Sequence, residues 1–549
     1  MGSDGPRAQP VVLVVLVVLT SLAVLTSLVA LVALVGPTGS ECAMPLRRTA
    51  VLATAIAAAA VGLLPVSASA RGAAGTSYHV DCANGDDAAA GTAPGTAWRS
   101  LERASRQVLG PGDRLLLRRG TDCTGVLAPQ GAGADGAPAV IDAYGKGAKP
   151  RLQGAGARAT VHLKNTEHWR IRNLDIANTG APTTTDRRAG VLVQATDYGV
   201  AEDFVVEGVD VHDVNGADFK DPDPSGGILF AVQGSERPTR FDGVRIEDST
   251  VRHVDRTGIG TSSTWGRRPE HPGGPGTSWE AITGLTVRGN DVRDVGGDGI
   301  VVQNARGALV EHNYVDGFNM RSAGYNAGVW AWNSDDVLYQ YNEVTGGHGT
   351  RDSMAFDFDG GNNRNVYRYN YSHDNEGGFL LVCNGAGMTT HGNRFHDNVS
   401  VNDRNTTAPY AVVSVVCNPT TDTRIYRNTI VTDRADTALV SNNGQTGTTF
   451  QDNIFVGAPG AGSPIKDTLS TYRNNLYWRT SQSRDAEAVN ADPLLRSADP
   501  RTPDDLRLRP GSPAVGAGTV TEDDGTRHDF YGNPLTDHRN IGADQGTGS

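Results

Sequence analysis

The sequence predicts an all-β solenoid of stacked parallel strands, and three observations lead to this fold class. A short segment centred on asparagine recurs through the second half of the chain, at Asn290, Asn313, Asn342, Asn370, Asn393, Asn428, Asn453 and Asn475. The residues around each asparagine are β-branched or aromatic, which favours strands. Helical periodicity between these strands is missing, and a propeller would need about 40 residues and four strands per blade. The repeat predicts about eleven coils over residues 156–480.

Asparagine suits the turn between two such strands. It tolerates left-handed backbone, and stacked amides can bond from coil to coil. The earlier coils place Leu174, Val209 and Ser249 at the same position, so they keep the strand pattern without the asparagine. The longer intervals indicate inserted loops, and such loops commonly carry the binding face of a solenoid.

The ends of the solenoid need covering because the last coil exposes unpaired strand edges. In the amino-terminal segment, residues 71–155, apolar side chains at Trp98, Leu101, Ala104 and Val108 fall on one face of a predicted helix over residues 96–108. We expect this segment to hold a helical cap and the first coils. Residues 481–549, rich in Asp, Pro and Gly, are predicted to be a tail that wraps the far end.

Two apolar segments precede the predicted solenoid. Residues 44–70 combine Arg47 and Arg48, an apolar middle and small residues up to Ala70, which is the pattern of a signal peptide. Residues 11–35 carry no charge and are long enough to span a bilayer. We expect residues 1–43 to be an over-extended start or hydrophobic leader and the protein to be secreted and extracellular. A membrane anchor through residues 11–35 is the alternative.

Charge narrows the class of partner. The formal net charge is −12, from 49 basic and 61 acidic residues. Residues 1–70 contribute +1, so the remainder carries −13. An acidic chain disfavours nucleic acid and anionic membranes, whose phosphates repel it. We expect no nucleic-acid partner and a monomer.

Cysteines indicate an oxidising compartment, because four of the five lie beyond the predicted signal peptide. Cys82 and Cys123 bracket the amino-terminal segment and are predicted to pair. Cys383 and Cys417 are 34 residues apart, which nearly matches the local repeat. They therefore occupy nearly the same place on adjacent coils, about 4.8 Å apart and within disulfide range.

Passages at both ends carry a resemblance to a known group. Tyr78-His-Val-Asp81, Trp98-Arg-Ser-Leu101 and Gly110-Pro-Gly-Asp113 resemble the entry segment of secreted bacterial right-handed parallel β-helix proteins of the pectate-lyase-like superfamily. Leu508 to Gly518 and Ile541-Gly-Ala-Asp544 are similar to the exit segment of that group. The resemblance covers about residues 76–545 and implies a right-handed parallel β-helix. It does not select a chemistry, because the superfamily contains lyases, hydrolases, epimerases and non-catalytic adhesins.

One set of consecutive strands concentrates reactive side chains. Side chains alternate between faces along a strand. The apolar partners Ile300/Val302, Val329/Ala331, Phe356/Phe358 and Phe379/Leu381 are predicted to point into the coil. The opposite, outward face of one sheet then carries Gln303, Trp330, Trp332, Asp357 and Asp359.

This outward set suits sugar chemistry. Asp357 and Asp359 have Cα atoms about 6.5–7 Å apart, which allows the carboxyl separations that glycosidases use. Repulsion would raise the pKa of one and leave the other ionised. Trp330 and Trp332 provide platforms for sugar rings. The candidates around them are Asp298, Asp352 and Glu376 as further carboxylates, and Gln303, Asn333, His348 and Arg351 as substrate-binding residues. A solvated polar face and a Ca²⁺ site are the alternatives.

A second candidate site lies earlier in the chain. Lys220 and Arg256 are basic residues on neighbouring coils. The resemblance implies that such residues can abstract the proton next to a uronate carboxylate, often with Ca²⁺. Asp221, Asp223 and Asp255 could hold that ion.

Three functional hypotheses follow. The first is a secreted glycoside hydrolase that degrades a polysaccharide with Asp357 and Asp359 and requires no cofactor. The second is a β-eliminating polysaccharide lyase that uses Lys220 and Arg256 and could need calcium. The third is a non-catalytic glycan-binding β-helix. The sequence assigns no metal ligands for the first hypothesis and does not identify the sugar or the linkage.

Overall fold

The computed structural model describes residues 75–220, 222–349, 351–407, 409–481, 484–521 and 525–547. The predicted leader, the signal peptide and Asp221 lie outside these residues. Within the described ranges, no helix is long and apolar enough to cross a membrane.

Strands that follow one another along the chain rotate through three long parallel sheets. The first sheet contains Ser77–Val80, Arg114–Arg118, Ala139–Tyr144, Trp169–Arg172, Val200–Glu207, Arg240–Glu247, Thr283–Arg288, Leu309–Glu311, Leu338–Gln340, Val366–Arg368, Arg394–His396, Thr423–Tyr426, Thr448–Gln451 and Thr471–Arg473. The second contains Asp122–Thr124, Arg151–Gln153, Asp175–Asn178, Asp210–Val214, Thr250–Val254, Asp291–Val295, Tyr314–Asp316, Glu343–Thr345, Tyr371–His373, Val399–Val401, Thr429–Val431, Ile454–Val456, Leu476–Trp478 and Val489–Asn490. The third contains Ala159–Lys164, Ala189–Thr196, Gly226–Gln233, Thr257–Ser263, Ile300–Gln303, Val329–Trp332, Phe356–Phe358, Leu380–Cys383, Val413–Val416, Val440–Asn442 and Ile465–Lys466.

From Ala159 onwards each coil contributes one strand to each sheet, which is the architecture of a parallel β-helix. The third sheet has eleven strands among the described residues, between Ala159 and Lys466. The predicted all-β fold class is therefore confirmed. The predicted domain borders at residues 155 and 480 stay predictions.

The interior is filled by the inward side chains of all three sheets. Ile300, Val329 and Phe356, on consecutive coils of the third sheet, are fully buried in one continuous core. Tyr339 and Tyr367 of the first sheet stack inside the same core with ring centroids 4.2 Å apart. Stacking like residues on consecutive coils lets each layer of the core repeat the packing of the layer below it.

A ladder of buried asparagines joins the coils at the turn between the first and second sheets. Each side-chain oxygen accepts the backbone N–H and the side-chain amide of the preceding asparagine, at 2.9–3.1 Å. The ladder runs through Asn290, Asn313, Asn342, Asn370, Asn398, Asn428, Asn453 and Asn475. Satisfying these buried groups is what makes asparagine recur here.

Two details of the predicted repeat are wrong. Asn398, not Asn393, is the ladder residue of its coil, because Asn393 precedes the strand Arg394–His396 and bonds to Asn365 at another turn. The left-handed residue is the one before each ladder asparagine, such as Tyr369 with φ 57° before Asn370. The asparagine itself turns its amide into the coil, where it bonds to its neighbours.

Short elements cover the ends. The amino-terminal α-helix spans only Leu101–Ser105 and is capped by Ser100, whose side chain accepts the Arg103 N–H. Val108–Leu109 and Gln130–Gly131 form a small separate sheet, and two 3₁₀ turns span Pro94–Thr96 and Pro503–Leu506. The carboxy-terminal tail packs along the outer side of the second sheet, where Leu506, Leu508 and Ile541 contact residues such as Ile454 and Leu476.

Both predicted disulfides are present. Cys82 and Cys123 have Cα atoms 5.4 Å apart, and Cys383 and Cys417 have Cα atoms 5.1 Å apart. The second pair joins the third-sheet strand Leu380–Cys383 to the end of the next strand, Val413–Val416. The separation of 34 residues is one more than the 33 between Cys383 and its strand partner Val416, which explains why the near match to the repeat predicted this bond.

Candidate active site

The predicted indole and carboxyl groups lie together on the outer face of the third sheet. Trp330 pairs with Asp357 on the next strand of the sheet, and Gln303 pairs in the same way with Trp332. Trp332 and Asp359 each lie one position beyond Ala331 and Phe358, the last pair that these two neighbouring strands share. Since Val329, Ala331, Phe356 and Phe358 are all in the interior core, the predicted strand phase is correct for these coils.

The next coil differs from the prediction by one residue. Gly378 has φ 106°, and the N–H groups of Phe379 and Leu380 both donate to the Val412 carbonyl. This irregularity places Phe379 and Leu380 in the core, whereas Leu381 becomes the outward partner of Asp357. The prediction that Phe379 and Leu381 both point into the coil is therefore correct for Phe379 and wrong for Leu381.

Three carboxyl groups share one electrostatic environment at this face. Burial and the charges of Asp359 and Asp352 raise the pKa of Asp357 well above its ordinary value. Burial raises the pKa of Asp359 to about 7, with a further contribution from the charge of Asp352. Burial also raises the pKa of Asp352 to about 6. The cluster can therefore hold protons near neutral pH.

The three groups differ in their hydrogen bonds. Asp352 accepts the backbone N–H groups of Ser353 at 2.8 Å and Asn326 at 3.2 Å, which favour its ionised form. Asp357 is 4% exposed, and its Oδ1 has no hydrogen-bond partner among the residues that the structure describes. Asp359 is half-buried and accepts the Gly360 N–H at 2.7 Å. Of the three, Asp359 is the carboxyl group most open to solvent.

The rival site predicted around Lys220 belongs to the same cluster. The Lys220 ammonium lies 4.2 Å from the Trp330 ring centroid and 3.5 Å from the Asp298 carboxylate. Its positive charge lowers the pKa of Asp352, Asp357 and Asp359 against the raising effect of burial. The two candidate sites are therefore one.

Asp298 lies beneath Trp330 and is fully buried. It accepts the Trp330 indole N–H at 3.0 Å, the Ala327 N–H at 3.1 Å and Arg256 Nη1 at 2.9 Å. Burial raises its pKa, but the charges of Lys220 and Arg256 outweigh burial and hold the pKa below its ordinary value. Asp298 is thus ionised, and its hydrogen bond holds the Trp330 indole in place.

The structure corrects the expected roles of three residues. Arg256 is 2% exposed and bonded to Asp298 and Asp218, so it cannot reach a substrate as a base. Trp330 is 3% exposed and is covered by Lys220. It therefore cannot offer its ring face to a sugar, which is the role that its position on the outer face had predicted. Asn333 is 2% exposed and bonds to Gly266, Asn304 and Arg268, which makes it a turn residue.

Two inserted loops meet above the cluster. The Lys220 loop comprises residues 215–220, and the Tyr325 loop comprises residues 317–328. Asp218 accepts the Ser322 hydroxyl at 2.9 Å, and Lys220 Nζ donates to the Tyr325 carbonyl at 2.9 Å. These contacts tie the loops to each other and to the buried Arg256.

A groove passes over Trp332 on the other side of the cluster. Trp332 is half-buried, and His271 packs edge-on against it with ring centroids 5.8 Å apart. The groove is lined by Pro222, His271, Pro275, Gln303 and Trp332 among others. It is bounded by the segment after Lys220 and by residues 264–282, an insertion between the third and first sheets.

His348 and Glu376 pair with each other on neighbouring turns. His348 Nδ1 lies 2.9 Å from a Glu376 oxygen, and Arg404 lies 3.0 Å from the other. Burial raises the pKa of Glu376, but the Gly349 N–H, His348 and Arg404 hold it below its ordinary value. Glu376 is thus an ionised turn residue, which does not suit it as an acid.

Sequence reasoning missed two tyrosines and gave Asp352 too little weight. Arg351 lies 4.5 Å from the ring centroid of Tyr325, which is 54% exposed. Burial and the nearby Asp352, Tyr325 and Asp357 raise the pKa of Tyr410 to about 12. Tyr325 and Tyr410 lie in two of the longer intervals of the repeat, which was the available signal.

The expected calcium ligands have other partners. Asp223 pairs with Arg158 at 2.6 Å, and Asp255 lies 3.4 Å from Arg321. Among the residues that the structure describes, no group of three or more His, Cys, Asp or Glu side chains is arranged to hold a metal. Calcium binding stays a prediction of the lyase hypothesis.

The matched region agrees with the fold. The family model described as "Right handed beta helix region" matches residues 226–412, which include the strands of Trp330 and Asp357. The three sheets and this match both agree with the right-handed parallel β-helix fold that the resemblance implied.

Individual relatives give a narrower likeness. A lacto-N-biosidase of Bifidobacterium longum subsp. longum is 28% identical over 90% of this chain and 39% of its own length, so the chain spans about two fifths of that relative. The solved GH136 lacto-N-biosidase from Eubacterium ramulus is 26% identical with a TM-score of 0.58, over 68% of this chain and 67% of that chain. XylC, solved with xylose, is 10% identical with a TM-score of 0.53 over 86% and 98%, and this shows the fold alone.

Proposed function

We propose that this protein is a glycoside hydrolase whose reaction centre is the carboxyl cluster of Asp352, Asp357 and Asp359. The observation that carries the proposal is the raised pKa of these groups beside two tryptophans on one solvent-facing sheet. Glycosidases need one protonated and one ionised carboxyl group at the same pH. The likeness to two lacto-N-biosidases supports the proposal and makes lacto-N-biosides the first substrates to test.

In this proposal Asp359 is the general acid. Its pKa of about 7 keeps it protonated in weakly acidic solution, and it is the most exposed of the three groups. It would donate its proton to the glycosidic oxygen as the bond to the anomeric carbon breaks.

The ionised partner is Asp352. Its pKa of about 6 is the lower of the two values, and two backbone N–H groups stabilise its charge. It would face the developing positive charge of the sugar, or assist the attacking group. Asp357, expected from the sequence to be half of the pair, would stay protonated between them, and its direct role stays a prediction that substitution to Asn tests.

The pKa values predict a narrow pH range for activity. Asp352 must lose its proton near pH 6 and Asp359 must keep its proton up to about pH 7, so kcat/KM should be bell-shaped with its maximum between these values. Both pKa values are raised above the ordinary 3.8, so the folded state binds these protons more tightly than the unfolded state. Their contribution to stability is complete below about pH 4 and is lost as the pH rises through 6 and 7. Activity and thermal melting should be measured across this range, and a maximum outside it would count against the assignment.

Product analysis separates this proposal from its rivals. A hydrolase releases a new reducing end, whereas a lyase releases an unsaturated uronate that absorbs ultraviolet light, and a binding protein releases neither. We expect reducing ends from lacto-N-biosides and no ultraviolet signal from a panel of uronate polysaccharides. The burial of Arg256 leaves the lyase hypothesis with Lys220 alone. An ultraviolet signal that Lys220→Met abolishes would establish the lyase instead.

We further propose that the enzyme acts outside the cell. The two disulfides support this location because such bonds persist in oxidising compartments. The monomeric state stays a prediction.

A further inference from the structure

We propose that Tyr325, backed by Arg351, binds the sugar of the leaving group in the proposed hydrolase. The inference rests on the proposed function and extends it to a surface outside the carboxyl cluster. It starts from a large aromatic side chain, 54% exposed, on the inserted loop that covers the cluster. Exposed aromatic rings are well suited to the apolar face of a sugar because they offer apolar area with few rotatable bonds.

The Tyr325 ring is held in place although it is exposed. The Arg351 guanidinium covers one face at 4.5 Å from the ring centroid, so the other face is left for a ligand. The Tyr325 carbonyl accepts Lys220 Nζ at 2.9 Å, and Ser322 of the same loop is bonded to Asp218. A platform that is ordered before binding loses little conformational entropy when it binds.

The position of the loop places the ring at the edge of the reaction centre. Asn326, the next residue, donates its backbone N–H to Asp352. Tyr410 experiences the charges of Asp352, Asp357 and Arg351 and also the neighbouring Tyr325. The Tyr325 loop and the carboxyl groups are therefore neighbours.

The two sides of the carboxyl cluster differ in solvent exposure. From this difference we infer on which side the leaving-group sugar binds. On one side, Trp332 is half-buried in a groove lined by His271, Pro222 and Pro275, which suits the sugar that carries the transition-state charge. On the other side, Tyr325 faces solvent. A departing sugar, which can be the end of a longer glycan, needs this open side.

A second exposed ring lies on the Lys220 loop, which contacts the Tyr325 loop. Phe219, beside Lys220 in the chain, is 38% exposed, and Arg187 covers one of its faces at 4.2 Å from the centroid. It repeats the arrangement of Tyr325 and Arg351, and we assign it to a further sugar unit of the leaving group.

The test compares leaving groups in one set of variants. The substrates are a lacto-N-bioside with a sugar leaving group and the corresponding glycosyl fluoride, whose leaving group is too small to reach Tyr325. Tyr325→Ala should lower kcat/KM for the sugar leaving group by about tenfold, the effect of losing one strong contact. The loss for the fluoride should be much smaller. Tyr325→Phe should retain most activity, because the ring makes the contact.

Met320→Ala is the matched control, since Met320 is an exposed apolar residue of the same loop at 39% exposure. It should leave both substrates nearly unchanged. Equal losses for both substrates in Tyr325→Ala would overturn the inference, because the ring would then act on the cluster or on loop structure. Wild-type protein that cleaves neither substrate would instead overturn the lacto-N-bioside activity on which this inference rests.

Discussion

Asp359→Asn should abolish most cleavage of a glycoside whose leaving group is a sugar. The amide cannot donate the proton that a sugar oxygen needs, and general acid catalysis contributes about 10²–10⁴-fold in rate. A dinitrophenyl glycoside needs little protonation, so its cleavage should fall far less. The alkaline limb of the pH profile should disappear, since the group with a pKa of about 7 is gone. Steady-state kinetics with both leaving groups across pH 5–8 would measure all three effects.

The control is Asp374→Asn, which makes the same chemical change at a turn where the side chain is 63% exposed. It should leave both substrates and the pH profile unchanged. A variant Asp359→Asn that loses equal activity for both leaving groups and keeps its alkaline limb would contradict the assignment. The acid would then be sought at Asp357, and the kinetics of Asp357→Asn would show whether the limb belongs to that group.

The fold was predictable because the features that build it repeat along the chain. Buried asparagines must find partners at every coil, so the same residue recurs at the same turn, and the strands around it keep their alternation. One coil was assigned five residues early, at Asn393 instead of Asn398, because both positions are followed by strand residues. The error did not change the fold, since the period of two within each strand still separated core from surface.

The site was predictable only in part. Strand alternation placed Trp330, Asp357 and Asp359 on the outer face, but it could not show how deep they lie. Their depth depends on the Lys220 and Tyr325 loops, which meet through Asp218–Ser322 and Lys220–Tyr325 contacts between residues about a hundred positions apart. Contacts between inserted loops do not recur with the coil repeat, so the sequence pattern does not predict them. The burial of Arg256 and Trp330 therefore emerged only from the structure.

Arg256→Met should both destabilise the protein and impair the site. Arg256 and Asp298 are 2% and 0% exposed, and removing one partner of a buried ion pair typically lowers the free energy of unfolding by about 3–5 kcal/mol. The substitution also releases Asp218, which Arg256 Nε contacts at 3.0 Å and which holds the Tyr325 loop through Ser322. We therefore expect a lower melting temperature together with a lower kcat.

A second buried pair separates the two effects. Arg427 contacts both oxygens of Asp397 at 3.0 and 2.7 Å, at 1% and 0% exposure, on the turn between the first and second sheets. Arg427→Met should destabilise to a similar degree while kcat at a permissive temperature stays at the wild-type value. Adding Asp298→Asn to Arg256→Met should recover much of the lost stability, because the amide removes the buried carboxylate that Arg256 compensated and still offers an oxygen to the Trp330 indole. If Arg427→Met lowers kcat as much as Arg256→Met does, the loss reflects general destabilisation, and Arg256 has no specific part in positioning the loops.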